Sequence, residues 1–270
     1  MDSELSEALR SSCFFRNFID FFSSCNCENF SGTIRSDLHW EREILMVIRG
    51  KTEFSYHDRK IIMDKGDVLF IDSWEPHQYG YGSVCEKCLH LWLHLHTEHL
   101  FANIIEISNG VQHNHPLMEL PDDLLSAINR RWDAAKNSQG RKKHVTEYYQ
   151  SIVRLLQEEL LWNALTPCSS SDRVSLENQL KNFLSVNYGH RVTLEELEKL
   201  FKRDRSYLSR LFKKAYGCTI GEFIDQNRER YAATASERGM TQKEIAAQLG
   251  FSSASAFWLW RKRRSIRMNG

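Results

Sequence analysis

The segment Leu89-His90-Leu91-Trp92-Leu93-His94-Leu95-His96 alternates without a break between leucine and a histidine or tryptophan. A period of two fits a β-strand, whose side chains point to opposite faces in turn, and does not fit a helix. The four leucines therefore form one face, to be buried in a core, and His90, Trp92, His94 and His96 form the other. One strand cannot satisfy its own backbone hydrogen bonds, so this segment requires a sheet. Its neighbours stand upstream, where residues 44–48, 51–56, 60–63 and 68–71 each read as a short strand. Turn signals separate them at Arg49-Gly50, His57-Asp58, Lys65-Gly66-Asp67 and Tyr79-Gly80-Tyr81-Gly82. Short strands at this spacing predict an antiparallel barrel or sandwich.

Beyond the strands the period changes. Residues 121–136 and 143–164 carry apolar residues at spacings of three and four, and in the second run Tyr149, Ile152, Val153, Leu156, Leu160 and Leu161 line one side. Such a stripe caps the barrel core or pairs with a second copy of the chain to make a homodimer, and the pattern leaves both open. The small, polar stretch Thr166-Pro167-Cys168-Ser169-Ser170-Ser171-Asp172 then reads as an interdomain linker. Downstream, residues 174–187, 193–201, 205–216, 220–235, 241–249 and 252–263 are short helical runs, split by Tyr188-Gly189, by 202–204 and by Gly217, Gly239 and Gly250. The expected class is α+β: a β-barrel followed by helices over residues 1–165, a linker over 166–173, and an all-α domain over 174–270.

Charge divides in the same place. Residues 171–270 hold 19 Lys and Arg against 11 Asp and Glu, a net of +8, while residues 1–170 hold 17 against 24, a net of −7. A compact cationic domain displaces counterions from phosphates, so the C-terminal half suits a polyanion such as double-stranded DNA. The opening residues MDSELSEALR lack the cationic and then apolar pattern of a secretory signal. No apolar stretch approaches the ~18 residues that span a bilayer. The expectation is a cytoplasmic protein with no membrane partner. The seven cysteines, an odd number, then read as reduced thiols rather than a disulfide framework. Cys25-x-Cys27 and Cys85-x-x-Cys88 admit a zinc reading, against which their unequal spacing weighs.

Within the helical half, Thr193 and Glu196 form a capping box ahead of a helix that buries Leu194, Leu197 and Phe201. After the break Lys202-Arg203-Asp204, Asp204 caps a second helix whose Leu208, Leu211 and Phe212 point inward. That leaves Arg205, Ser206, Ser209, Arg210 and Lys213 on a polar, cationic face of the size that fits a major groove. The arrangement recurs about 48 residues on, with Thr241 and Glu244 at a cap, Gly250 in a turn and a further helix from Ser252. There Ser252, Ser253, Ser255, Trp258, Arg261 and Lys262 are the candidate DNA contacts.

The two stretches, Tyr207-Leu208-Ser209-Arg210-Leu211-Phe212-Lys213-Lys214-x-Tyr216-Gly217 and Glu244-Ile245-Ala246-x-x-x-Gly250-Phe251-Ser252-Ser253, resemble the halves of the AraC/XylS-type DNA-binding domain over about residues 175–264. The resemblance implies a sequence-specific transcription regulator, commonly an activator that contacts RNA polymerase, with two recognition helices in successive major grooves. Glu198 and Lys202 stand where that family usually has Ala and Gly. Asn227, Glu229, Ala235 and Ser236 replace larger apolar residues, and Leu259 and Arg261 replace an Arg and a Phe.

The strand-rich half resembles a cupin barrel, the sensor domain that often accompanies this module. His39-x3-Glu43-x6-Gly50 and Gly66-x10-His77 match the cupin spacings, with Asp37 in place of a further His, and with Asp72, Trp74 and Tyr81 in place of Pro, Gly and Asn. In metal-containing cupins such residues hold a divalent ion through imidazole and carboxylate. For a regulator the resemblance implies an organic small-molecule effector, no metal or other cofactor, and a pocket lined by His39, Glu43, His77, Trp92 and His94. A Trp flanked by imidazoles suits stacking on a sugar-like or planar ligand; ordinary strand ends and an exposed strand face are the alternatives. The rival function is a metal-dependent cupin enzyme with an accessory helical domain. Neither a phosphate-cradling Gly loop nor a Gly-x-Ser-x-Gly elbow accompanies it, and the expectation is a non-enzyme.

Overall fold

The structure, a computed structural model, describes residues 3–20, 27–29, 36–57, 59–78, 87–97, 99–109, 111–115, 118–138, 142–165, 175–186 and 192–268. Its contacts separate two units: Met1–Asp37 with Glu41–Val174, and Ser175–Gly270, with which Leu38–Trp40 groups. The proposed linker at 166–173 and the turns at 79–82 and 188–189 lie outside the described residues.

In the first unit the elements run α1 (Ser3–Arg10), β1 (Asn17–Ile19), β2 (Cys27–Asn29), β3 (Ser36–Asp37), β4 (Arg42–Arg49), β5 (Thr52–Tyr56), β6 (Arg59–Met63), β7 (Asp67–Ile71), β8 (His77–Gln78), β9 (Lys87–Leu95), β10 (Leu100–Ser108), β11 (Val111–Asn114), β12 (Met118–Leu120), α2 (Asp122–Asn137) and α3 (Lys142–Leu165). One sheet has the order β1-β7-β4-β9-β10-β11, with β12 also on β10; the other has the order β2-β6-β5-β8-β3. The described pairings are antiparallel except β1 with β7, which joins Asn17–Ile19 in parallel to residues 67–69.

The alternation in β9 sorts the two cores. Leu89, Leu91, Leu93 and Leu95 lie with Ile44, Met46, Ile48, Val68 and Phe70 under residues of α1, α2 and α3. Trp92 lies on the opposite face with Leu45, Val47, Leu69 and Ile71, packed on Phe54, Tyr56, Ile61 and Met63 of the second sheet. The register fixes this, since Leu45 pairs with Trp92 and Ile44 with Leu93; a slip of one residue would exchange the faces. Tyr149, Ile152, Val153, Leu156 and Leu160 of α3 are buried in the helix-side core, so the stripe that left dimer pairing open caps the barrel. Gly50 turns β4 into β5 at φ 85°, and a Cβ there would stand 2.4 Å from the Lys87 carbonyl. Only glycine fits so close a backbone approach.

One expectation fails in this unit. Cys88, at the start of β9, is disulfide-bonded, whereas Cys13 and Cys218 are free thiols. An odd cysteine count leaves room for a single bridge, so counting alone had no power to exclude it.

The second unit is helical among its described residues: α4 (Leu176–Val186), α5 (Leu194–Phe201), α6 (Arg205–Tyr216), α7 (Ile220–Glu237), α8 (Gln242–Gln248) and α9 (Ala254–Met268). Leu180, Leu184, Leu197, Leu208, Phe212 and Ile220 form the core around α5 and α6. Thr193 with Glu196, Thr219 with Glu222 and Thr241 with Glu244 are three complete capping boxes. Backbone and side-chain hydrogen bonds from the threonines hold Glu222 and Glu244 below the usual carboxylate range.

Three departures from the family pattern, at Lys202, Asn227 and Ser236, find a local answer. Lys202 adopts the left-handed conformation that a glycine would take at the end of α5. Buried Asn227 donates its side-chain amide to the Leu184 carbonyl at 3.3 Å, and Ser236 bonds back to the Ala232 carbonyl at 2.7 Å. No helix among the described residues is long and apolar enough to cross a membrane.

Candidate nucleic-acid interface and effector site

The turn from α5 into α6 is set by Asp204, whose carboxylate accepts from the backbone N–H of Ser206 at 2.8 Å and of Tyr207 at 3.2 Å. With Leu208 and Phe212 buried, Arg205, Ser206, Arg210 and Lys213 are exposed along the other side. Ser209 is half-buried, and its hydroxyl donates to the Arg205 carbonyl at 2.8 Å. The α6 face thus carries three cations within three helical turns, matching the reach of a major groove and its phosphate rims.

In the second motif, Phe251, Phe257 and Trp260 form an aromatic cluster with centroids 5.3–5.8 Å apart. Ser253 caps α9, accepting from the Ala256 N–H at 3.1 Å. Ser252, Ser253, Ser255, Trp258 and Lys262 are exposed. Arg261 turns elsewhere: its Nε lies 3.3 Å from Glu229 Oε2 on α7, and its guanidinium stands 5.8 Å from the Phe257 ring. Two family departures, Glu229 and Arg261, are therefore partners of one another.

Inside the first unit, the strand faces place Glu43, His77, Trp92 and His94 together. Glu43 pairs in register with His94, and its carboxylate accepts from His94 Nδ1 at 2.9 Å and lies 3.3 Å from His77 Nε2. The Glu75 carbonyl, 2.9 Å from His77 Nδ1, orients that imidazole so that Nε2 points to Glu43. His77 stacks with Phe54 at 6.3 Å, Phe54 meets Trp92 at 5.7 Å, and Trp92 stacks with His94 at 6.2 Å, giving a ladder of rings. His39 is buried too, and ligand-capable atoms of His39, Glu43 and His77 lie within 4.8 Å of one another. Two imidazoles and a carboxylate are a donor set that fits a first-row divalent ion. Deeper along the same face, burial pushes the His90 imidazole down to about 4, so it is neutral at physiological pH.

The other side of β4 anchors this arrangement. Arg42 Nε donates to Asp72 Oδ1 at 2.8 Å and Nη1 to Asn129 Oδ1 at 2.9 Å, with Asp133 and Lys136 completing the cluster on α2. Burial raises the Asp72 carboxyl, but the bonds from Lys136 and Arg42 outweigh it and hold the group below its usual value. Trp74, in the cupin glycine's place, keeps a glycine-like φ of 64°.

Residues 197–264 match the family described as helix-turn-helix domain, and residues 31–84 match the cupin domain. Curated relatives share both halves in one chain. The HTH-type transcriptional regulator YdeC of Bacillus subtilis is 26% identical over 252 residues, covering 85% of this chain and 82% of that one. The melibiose operon regulatory protein of Escherichia coli K12 is 23% identical over 236 residues, covering 83% and 78%. The lactose operon transcription activator of Staphylococcus xylosus is 20% identical over 226 residues, covering 81% and 78%. The chain is similar to these transcription regulators over most of its length.

It is a DNA-binding transcription regulator, and its relatives are regulators rather than enzymes by name. Sequence reasoning placed His96 on the polar face of its strand but missed its partner in this regulator's barrel, Glu41. Glu41 is 2% exposed, and its Oε1 lies 3.1 Å from His96 Nδ1. The signal was available: Glu41 stands two residues before Glu43, and His96 two after His94, so a second carboxylate–imidazole pair follows the first on the same face.

Proposed function

We propose that this regulator senses a small polyhydroxylated metabolite, a sugar or a close relative, inside its barrel, and that His39, Glu43, His77, Trp92 and His94 line the pocket. The observation that carries the reading is the Glu43 carboxylate, nearly buried between His77 and His94 and set beside the Phe54–Trp92 rings. A buried acceptor, imidazole donors and an aromatic plane are the groups that take up hydroxyls and the apolar face of a sugar ring. Two relatives are named for melibiose and lactose operons, which supports the same ligand class.

In this reading residues 1–165 sense, 166–173 link and 174–270 bind DNA, and the chain acts in the cytoplasm as a homodimeric activator that contacts RNA polymerase and performs no catalysis. Arg205, Ser206, Ser209, Arg210 and Lys213, with Ser252, Ser253, Ser255, Trp258 and Lys262, make the DNA contacts, while Arg261 supports α9 through Glu229. Calorimetric titration of the full chain with a panel including melibiose and lactose tests the effector class. Saturable binding that Glu43→Ala abolishes is expected; no binding to any sugar refutes it. Sedimentation tests the homodimer.

A second reading is favoured by the convergence of His39, Glu43 and His77. A divalent ion held there would supply a Lewis acid to a bound ligand. Stoichiometric iron, manganese or nickel in protein purified without chelator would establish it, and metal-free protein that binds a sugar would remove it.

A further inference from the structure

The two reading helices offer different chemistry to a duplex. On α6 the exposed long side chains include Arg205, Arg210, Lys213 and Lys214. On α9 two arginines are turned back onto α7: Arg261 meets Glu229 at 3.3 Å, and Arg264 Nη1 meets Asp225 Oδ2 at 3.1 Å. Trp260 joins them, donating its indole N–H to Asp225 Oδ1 at 2.9 Å. What the first two turns of α9 show to solvent is Ser255, Trp258 and Leu259, the last two 49% and 46% exposed, with Lys262 and Arg263 one turn later. The Lys262 ammonium stands 5.0 Å from the Trp258 ring centroid.

We infer that α9 reads its segment of the operator by apolar contact, with Trp258 and Leu259 packing on thymine 5-methyl groups, whereas α6 reads by guanidinium hydrogen bonds. The inference rests on the reading that α9 enters a major groove. Leucine has no hydrogen-bonding group and tryptophan has one donor and no acceptor, so this pair cannot decode most base-edge patterns. Among the four unmodified bases only thymine presents an apolar group in that groove. Trp258 is the fifth residue of α9, within the N-terminal part of a recognition helix that meets base edges. Lys262 and Arg263 follow where cations serve the phosphates, and they supply the charge complementarity that seats an otherwise apolar face on a polyanion. The cation beside the indole also limits the rotamers of Trp258 before binding.

The experiment uses the full chain and duplexes selected with it from a random-sequence pool, with each thymine of a selected duplex replaced singly by deoxyuridine, which removes only the methyl group. At one or two clustered thymines the wild-type chain should lose about 4-fold in affinity per methyl. Trp258→Ala should bind the parent duplex more weakly and no longer distinguish thymine from uracil at those positions, with an unchanged thermal midpoint because the side chain is on the surface. Trp258→Phe should keep part of the distinction, and Arg210→Ala should keep all of it. A chain that still prefers its selected duplex over a scrambled one, yet tolerates uracil at every position within about twofold, overturns apolar readout and leaves DNA binding standing. Failure to select any duplex overturns both.

Discussion

Lys202 closes α5 at φ 50° and ψ 42°, in a region that disfavours a side chain by about 1–2 kcal/mol. Lys202→Gly removes that strain and adds freedom to the unfolded chain, which takes back about 0.4–1 kcal/mol. The side chain is exposed, so little packing is lost. The net expectation is a gain of about 0.5–1 kcal/mol, which for a helical unit of this size raises its unfolding midpoint by about 2–6 °C. Gly217 provides the mirror experiment. It closes α6 at φ 72°, and a Cβ there would meet nothing within 4 Å. Gly217→Ala therefore isolates the same backbone effect with the opposite sign, and a loss of about 1 kcal/mol is expected. Thermal unfolding of the full chain, followed by far-ultraviolet circular dichroism, reads both variants. A lower midpoint for Lys202→Gly, or an unchanged one for Gly217→Ala, would refute the claim that backbone conformation governs these two helix ends. Since Lys202 sits in the turn that aims α6, the stabilised variant should also bind DNA at least as tightly.

Three further outcomes are expected. Asp72→Ala removes one of the two carboxylates that hold Arg42, together with the partner of half-exposed Lys136, and should destabilise the first unit by about 2 kcal/mol in urea titration. Because the folded Asp72 carboxyl lies below its ordinary 3.8, its contribution is present above pH 3.8 and fades as pH falls through the lower folded value, so Asp72→Asn should lose less stability on acidification than wild type. Arg210→Ala should weaken specific DNA binding by about 1–3 kcal/mol in mobility-shift titrations, while an equal loss on all sequences would make it a phosphate contact. Arg261→Ala should lower the midpoint of the helical unit more than it lowers DNA affinity, because its partner is Glu229.

The leucine–histidine alternation of β9 was enough to place both faces of that strand, since a period of two leaves no other arrangement once one face is buried. The helix starts were equally legible, because a capping box is written within four residues. What escaped depended on distant partners. Arg42 finds its cluster 30, 87 and 91 residues away, and β1 pairs with a strand 50 residues on; neither leaves a local mark. At the candidate site, motif spacing found His39, Glu43 and His77, while Glu41 and His96 lay outside the motif. Arg261 counted as a DNA contact by charge and helix position. Its orientation was hidden until Glu229, 32 residues earlier, was seen on the adjoining helix.

The parallel pairing of β1 with β7 has a consequence for how the chain acquires its shape. The first sheet gains its edge only when a segment near residue 18 meets one near residue 68, and such a contact must wait for the intervening chain to collapse. The helical unit has no comparable delay at its helix starts, because three threonine–glutamate boxes begin helices from neighbours three residues apart. The two units should therefore fold on different clocks, with the DNA-reading helices formed while the barrel is still closing. After dilution from denaturant, helical signal should return before Trp92 is shielded from an added quencher.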